Sequence, residues 1–272
     1  MKKLSKLFLE PAPFKNFALR NIARYKLGSF EQRVNLGAMP YAHYAYPLYQ
    51  GAKLAKRLGH TRISTIEFGV AGGNGLVALE KIARDIEKEL GMTIDVYGFD
   101  LSEGLPRSTD YRDALYFWKA GFFKMDVSAL KGRLSKAKLV LGDVKDTIPT
   151  FAKEHDPAPI AAVMFDLDYY SSTRDAFKIF DIEDKHILPR VFIYFDDVMG
   201  TEECLVGDFT GQRAAINEFN DTNDHKKIDM LHFIFARRIP NEKYYRMRAF
   251  HHFKHPDYNA FIGPENQEQA LR

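Results

Sequence analysis

Between residues 62 and 193 the chain alternates short apolar runs with stretches of helical periodicity, and no other feature restricts the fold as tightly. The runs at 63–68, 94–99, 138–141, 160–165 and 191–195 have the length and the branched or aromatic content of buried strands. Between the first two, Leu76, Val77, Leu79, Ile82, Ala83, Ile86 and Leu90 recur at helical spacing, and Gly91 supplies a C-terminal stop. That is a β-α-β unit. Its repetition predicts an α/β fold of the doubly wound, Rossmann-like kind, a mostly parallel sheet covered by helices on both faces. Further on, residues 231–236 and 244–250 flank Pro240-Asn241 and read as an antiparallel hairpin closing the sheet. Parallel sheets commonly carry such an edge.

A chain of 272 residues with 46% hydrophobic and 28% charged content can bury one large core. Residues 1–60 stand outside the alternation and are expected to form an N-terminal helical extension or lid, with 61–272 as the main domain. The aromatic stretch from Met39 to Tyr49 fits either a lid over a pocket or a helix packed on the domain. The first 33 residues carry Lys2, Lys3, Lys6, Lys15, Arg20, Arg24, Lys26 and Arg33 against Glu10 and Glu31, interleaved with apolar residues. A segment of this kind can lie on an anionic membrane, but a solvated helix packed on its own protein is the reading we favour.

Thirty-nine basic against thirty-six acidic residues leave a net charge of only +3, so composition gives no nucleic-acid footprint. No apolar run approaches the length that spans a bilayer, so no stable membrane insertion is expected. The run Leu7-Phe8-Leu9 is too short for a secretory signal. A lone cysteine, Cys204, excludes an intramolecular disulfide framework and fits a reducing, cytoplasmic setting. A homo-oligomer is compatible with all of this.

The first strand candidate runs into Ile66-Glu67-Phe68-Gly69-Val70-Ala71-Gly72-Gly73-Asn74-Gly75. Glycines at such a turn let a ligand approach main-chain N–H groups without a Cβ in the way. Taken alone, the dinucleotide-like spacing from Gly73 is weak, and a plain tight turn explains it as well. Glu67, however, sits where a carboxylate can hold a cationic amino group and would repel a pyrophosphate. Asp100, at the end of the second strand, can accept from ribose hydroxyls. Together they describe S-adenosylmethionine better than a nicotinamide dinucleotide.

The fourth apolar run ends in VMFDLDYYSST, which places Asp166 and Asp168 two residues apart, and the fifth ends in Asp196-Asp197. Parallel strands present ligands at their carboxyl ends, so Asp166, Asp196 and Asp197 should share a crevice with Glu67 and Asp100. Clustered carboxylates repel unless a cation lies between them, and oxygen-only ligands suit Mg2+ rather than zinc. A helix cap or strand-end turn is the competing explanation for Asp196-Asp197, since adjacent strand residues point to opposite faces. His251, His252 and His255 are read as solvated.

These residues, taken in order, resemble the macrocin O-methyltransferase family, magnesium- and S-adenosylmethionine-dependent enzymes that methylate sugar hydroxyls. The similarity runs from about Thr65 to Phe219. Glu67 to Gly73 is similar to the cofactor loop, Gly98 to Pro106 to the second-strand signature, and Gly142 to Pro149 to the segment after the third strand. Asp166 to Thr173 resembles the acidic motif, Asp196-Asp197 follows, and Gly211 to Phe219 resembles the next helix.

The resemblance implies a class I methyltransferase domain over residues 61–272 with a seven-stranded sheet, and a small-molecule acceptor with neighbouring hydroxyls, a sugar or glycoside. It implies Asp166, Asp196 and Asp197 as magnesium ligands and Asp168 as general base. Glu67, Gly69, Gly73 and Asn74 would line the methionine end of the cofactor, with Asp100 and Ser102 at the ribose and Asp143 near the adenine. The chain departs from the family at Pro189-Arg190, where Gly-Gly is usual, at Val198, where an aromatic is usual, and at Asp143, which replaces a Trp. Three rivals stand beside this reading: a haloacid-dehalogenase-type phosphatase built on Asp166-Leu167-Asp168, a magnesium-dependent catechol-type O-methyltransferase, and a catalytically silent cofactor-binding protein. For the phosphatase, Tyr169-Tyr170 stand in place of the usual Gly-Thr.

Overall fold

The computed structural model describes residues 13–235 and 245–264. The chain opens with helices α1 (Pro13–Tyr25), α2 (Phe30–Leu36) and α3 (Ala42–Arg57). Strand β1 (Arg62–Phe68), helix α4 (Asn74–Leu90) and strand β2 (Thr93–Asp100) form the first β-α-β unit. A long loop holding the short helix α5 (Val127–Lys131) leads to β3 (Lys138–Leu141), α6 (Val144–His155), β4 (Ile160–Phe165), α7 (Tyr170–Ala176) and β5 (Ile187–Phe195). Helix α8 (Gly211–Thr222), β6 (Lys226–Met230), α9 (His232–Phe235) and β7 (Met247–His252) follow.

The seven strands form one sheet in the order β3-β2-β1-β4-β5-β7-β6. Strands β1 to β5 are mutually parallel, and β7 runs antiparallel to both β5 and β6. Strand order reverses between β1 and β4, which is where an open α/β sheet leaves a crevice beyond its carboxyl ends. Helix α4 buries Leu76, Leu79, Ile82, Ala83 and Ile86 against the sheet and ends at Gly91 in the left-handed conformation, as its periodicity predicts. Glu80 is also buried on this helix. Burial alone would raise its pKa, but the backbone N–H groups of Ser135, Lys136 and Ala137 donate to its carboxylate and hold it below the usual range.

Two expectations are corrected. The antiparallel pair exists, but its first strand is β6 at Lys226–Met230, and residues from 232 to 235 are helical. Apolar content misled there: β6 is an edge strand that buries only Ile228 among charged neighbours, a common device against edge pairing. Asn220 of α8 fixes it by accepting from Ile228 N and donating to Ile228 O. The Pro240-Asn241 turn lies outside the described residues. His255 is buried rather than solvated. Its Nδ1 accepts from Asp257 N, so the ring proton sits on Nε2, which donates to the carbonyls of Asp184 and Ile187.

The aromatic stretch is a packed helix. Tyr44, Tyr46 and Tyr49 of α3 are buried in the same core as the strands. Farther upstream, by contrast, Phe14 and Phe17 of α1 stand exposed at 86% and 70%, so among the described residues those rings find little cover. No helix among the described residues is long and apolar enough to cross a membrane.

Candidate active site

Three neighbouring strands end on a phenylalanine and β2 carries one next to its last residue, and the register lines them up: Phe99 beside Phe68, Phe68 beside Phe165, Phe165 beside Phe195. All four rings are fully buried, with centroids 4.8, 5.2 and 4.8 Å apart along the row. The row fixes where each strand leaves the core. The next residues, Asp100, Gly69, Asp166 and Asp196, therefore emerge side by side, and the ladder runs one step further through Gly69 N to Phe99 O, Asp166 N to Phe68 O and Asp196 N to Phe165 O.

Gly69 makes the crossing possible. Its φ is +83°, and a Cβ there would lie 1.7 Å from the carbonyl oxygen of Asp166. The glycine loop beyond it is held by Asp100, whose Oδ2 accepts from both Val70 N and Ala71 N at 2.8 Å while Oδ1 accepts from Ser102 N at 2.5 Å. Asp100 thus lines the cleft but spends one lone pair or more of each oxygen on backbone.

Asp196 and Asp197 follow β5 in a turn, so the alternation of a strand no longer separates them. One carboxylate oxygen from each of Asp166, Asp196 and Asp197 lies within 4.8 Å of the others, and all three residues are half-buried. Asp196 Oδ1 accepts from Tyr194 Oη at 2.5 Å and pairs with Arg246 Nη1 at 2.6 Å. Asp197 Oδ2 accepts from Asp168 N at 2.9 Å, and Asp197 N donates to Gln212 Oε1 at 2.9 Å. Gln212 is fully buried and its Nε2 reaches the carbonyl of Phe165, tying the Asp197 turn to the end of β4.

Asp168 stands outside the trio. Its φ of +57° is left-handed, and this turns the chain away from the line of β4. Burial, then the charges of Asp166 and Asp196, push its carboxyl up to about 7. Asp197 is raised well above its ordinary value, by burial and then by Asp168 and Asp196. The set carries more negative charge than its surroundings neutralise, and it presents only oxygen donors; that chemistry fits a small hard divalent cation.

Two cavities meet at these acids. One, of about 320 Å³, is lined by Gly69, Ala71, Asp100, Gly142 and Asp143 as well as Asp166, Asp168, Asp196 and Asp197. The other, of about 340 Å³, shares Asp168, Asp196 and Asp197 and continues along Phe117, Met199, Cys204 and Arg246. Trp118 lines both. The wall that carries Trp118 is anchored from below: buried Asp113 accepts from Ser171 N and Ser171 Oγ at the start of α7, and Arg112 stacks 3.8 Å over the ring of Tyr170. Across the second cavity, Tyr116 Oη donates to the carbonyl of Cys204 at 2.7 Å.

No protein-family model matches the sequence, and no curated protein does. Among solved structures, the chain is similar to the calicheamicin methyltransferase CalS11, with a TM-score of 0.52 and 19% identity over 89% of this chain and 92% of that one. It is likewise similar to the O-methyltransferase NovP, with a TM-score of 0.52 and 15% identity over 78% and 81%. This is the class I methyltransferase fold. At such identities the likeness is one of fold, and the chemistry must be argued from the residues.

Within the class I fold, the strand ends bring together Gly69, Asp100, Asp143, Asp166, Asp168, Asp196 and Asp197 around the first cavity. Glu67 lies behind the glycine turn, fully buried, with Oε1 accepting from Tyr44 Oη at 2.8 Å and Oε2 without a partner. Burial, and the charges of Asp166 and Asp100, raise its pKa against the opposing effect of the Tyr44 hydrogen bond. A buried carboxylate oxygen with no donor fits a nearby ammonium. Gly73 is the left-handed residue that opens α4 and packs on Leu130. Asn74 and Ser102 do not line the cavity: Asn74 is exposed and accepts from Arg133, and Ser102 serves Asp100 and Met125 through its backbone. Asp143 reaches the rim, but its side chain caps α6 by accepting from Lys145 N.

Sequence reasoning missed Trp118, Phe123, Tyr194, Gln212 and Arg246 as site residues. Trp118 is the only tryptophan in the chain and sits in a loop dense with Phe117, Phe122 and Phe123, a signal that was available. Arg246 carried none, because its link to Asp196 spans 50 positions.

Proposed function

We propose that the protein is a magnesium- and S-adenosylmethionine-dependent O-methyltransferase acting on a hydroxyl of a sugar or glycosylated small molecule. The observation that carries this reading is the meeting of two cavities at one set of carboxylates, one cavity opening on the glycine turn and Asp100, the other on an aromatic and aliphatic wall. Two ligands seated in them face each other across Asp166, Asp168, Asp196 and Asp197. Such an arrangement suits transfer of a group between them.

In this reading Asp166, Asp196 and Asp197 hold the magnesium ion, and the turn of Gly69 to Gly73 with Glu67 holds the methionine end of the cofactor. When bound, magnesium supplies Lewis acidity to an acceptor hydroxyl and S-adenosylmethionine supplies the methyl group. Asp168 accepts the hydroxyl proton at its carboxylate. It is two residues from Asp166 yet outside the ligand trio, so it can stay off the ion and within reach of the oxygen. Trp118 and Phe117 wall the second cavity, exclude water and orient the acceptor; alignment of this kind contributes roughly 7–11 kcal/mol in well-oriented reactions. The same aromatic pair supports a second reading, an aromatic diol as acceptor.

Isothermal titration with S-adenosylhomocysteine and with Mg2+, followed by methyl transfer to a panel of glycosides and catechols, tests the reading. Asp196→Asn should weaken magnesium binding. Asp168→Asn should keep both ligands and lose on the order of 10²–10⁴-fold in turnover. Full turnover by Asp168→Asn removes it from the base role, and failure of the wild-type protein to bind S-adenosylhomocysteine sinks the whole proposal. Transfer to catechols but not glycosides decides for the aromatic acceptor.

A further inference from the structure

A third cavity, of about 310 Å³, lies between the C-terminal half of α3 and the β5–β7 pair and shares no lining residue with the two that meet at the acids. Its walls carry Lys53, Arg57, Arg190 and His251 beside the apolar Leu54, Phe192 and Ile262, and none of the described residues lining it is acidic. The basic groups differ in how they are satisfied. Lys53 pairs with Glu31, and Arg57 Nη1 donates to the carbonyl of Ile262 at 3.2 Å. Arg190 has two buried nitrogens, Nε and Nη2, with no hydrogen-bond partner, and its guanidinium lies 5.5 Å from the ring centroid of Tyr258.

The local backbone explains why an arginine stands there. From Ile160 to Ala162 on β4 is two steps, while their partners on β5, Ile187 and Phe192, are five apart, so β5 bulges over 188–191. Pro189, which has no N–H to give, falls inside the bulge. Arg190 is paired with His251 and Phe192 with Ala249, and all four line the cavity. His251 registers the result: burial first and then the Arg190 charge, against a weaker pull from Asp229, hold it below its ordinary value. The Pro189-Arg190 departure from the family pattern is thus what equips this cavity.

Nε and Nη2 are adjacent donors on one edge of the guanidinium fork, the edge that a planar carboxylate takes with two parallel hydrogen bonds. Both nitrogens are shut off from solvent as the side chain stands, so the guanidinium must turn toward the cavity to present this edge; leaving such donors buried and unpaired is costly, and an anion removes that cost. The remaining lining is mostly apolar, which a bare inorganic anion would leave unused, and the volume is that of a small-molecule site. We propose that this cavity binds a small amphipathic carboxylate, its carboxylate on the Nε–Nη2 edge of Arg190 and its apolar body along Leu54, Phe192 and Ile262. The site is independent of the methyl-transfer reading.

Octanoate is the probe, with 1-octanol, acetate and inorganic phosphate as controls, titrated calorimetrically into the full chain and checked by thermal shift. Octanoate should bind saturably at one site per chain and raise the melting temperature, and the three controls should do neither at the same concentration. Arg190→Gln should lower octanoate affinity at least tenfold while S-adenosylhomocysteine binding stays as in the wild type. Ile262→Asp sets a carboxylate in the wall and should abolish octanoate binding; it serves if the Arg190 variant does not fold. Absence of saturable octanoate binding, unchanged affinity in either folded variant, or phosphate binding as tightly as octanoate overturns the proposal.

Discussion

Gly69→Ala probes the point on which the site geometry turns. An alanine Cβ would lie 1.7 Å from the carbonyl oxygen of Asp166, and contacts under 3.0 Å are not tolerated, so the two backbones must separate by the difference, at least 1.3 Å. The residue would also keep a φ of +83°, which costs an L-residue about 1–2 kcal/mol, and the steric clash adds about 1–3 kcal/mol. A smaller loss of unfolded-state entropy, about 0.4–1 kcal/mol, works the other way. The net destabilisation is about 1–5 kcal/mol, which lowers the melting temperature of a chain this size by roughly 2–20 °C. The displacement matters more than the energy, because it moves Asp166 relative to Asp196 and Asp197. Affinity for Mn2+, used as a spectroscopic substitute for magnesium, should fall at least tenfold, and turnover by about 100-fold for a shift near 1 Å. Gly72→Ala is the matched control, since a Cβ there meets nothing within 4 Å. Circular dichroism melts and Mn2+ titration by electron paramagnetic resonance read both. A Gly69→Ala protein indistinguishable from Gly72→Ala in melting and Mn2+ affinity would refute the crossing argument.

Two further outcomes follow from the same contacts. Asp168 and Asp197 have folded pKa values above their ordinary ones, so the folded state binds more protons than the unfolded one in that window, and stability falls as pH rises from near 3.8 to about 7 through Asp168. Without divalent cations the melting temperature should therefore be higher at pH 6 than at pH 8, the gap should narrow in Asp197→Asn, and magnesium should raise the melting temperature more at pH 8; a gap unchanged by Asp197→Asn counts against this assignment. Phe165→Ala removes the ring that sits 5.2 Å from Phe68, 4.8 Å from Phe195 and 5.3 Å from Phe177, and should cost about 3–5 kcal/mol in denaturant unfolding. A loss under about 1 kcal/mol would mean the aromatic row does not hold the strand ends.

Strands β1, β2, β4 and β5 were legible because a strand covered on both faces is apolar along most of its length, and runs such as 160–165 have no helical alternative of that length; β3, the other edge strand, buries only Val140 but keeps the apolar run Leu139-Val140-Leu141. The glycine turn and the acids after β4 and β5 were legible because they interrupt such runs. The first strand of the antiparallel pair was not, since an edge strand can be stable with one buried side chain, Ile228, and its apolar content then falls below that of a neighbouring short helix. Asn74 and Ser102 lie near cavity residues but do not line the cavity, because one residue of helix or turn rotates a side chain by a large angle. The loop from Leu101 to Asp126, which supplies Trp118 to both cavities, has no period to read. Its order rests on long-range bonds such as Asp113 to Ser171, 58 positions apart.

The division of labour between Asp166 and Asp168 follows from backbone conformation rather than spacing. On a continuing strand, residues two apart point the same way, and both acids would enter the ligand trio. The strand stops at Phe165, and Asp168 sits at φ +57°, a conformation that costs a non-glycine residue energy unless its surroundings fix it. The fixing bond is on the page: Asp168 N donates to Asp197 Oδ2, so the carboxylate that joins Asp166 and Asp196 in the trio also holds the Asp168 turn. Arg246 and Tyr194 do the equivalent for Asp196 through its Oδ1. Two of the three acids are therefore oriented by bonds from outside the cluster, and Asp168 is held out of it by one from within. A cation bound by the trio would meet donors already turned toward it, and the left-handed turn at Asp168 keeps a fourth carboxylate nearby that the ion does not consume.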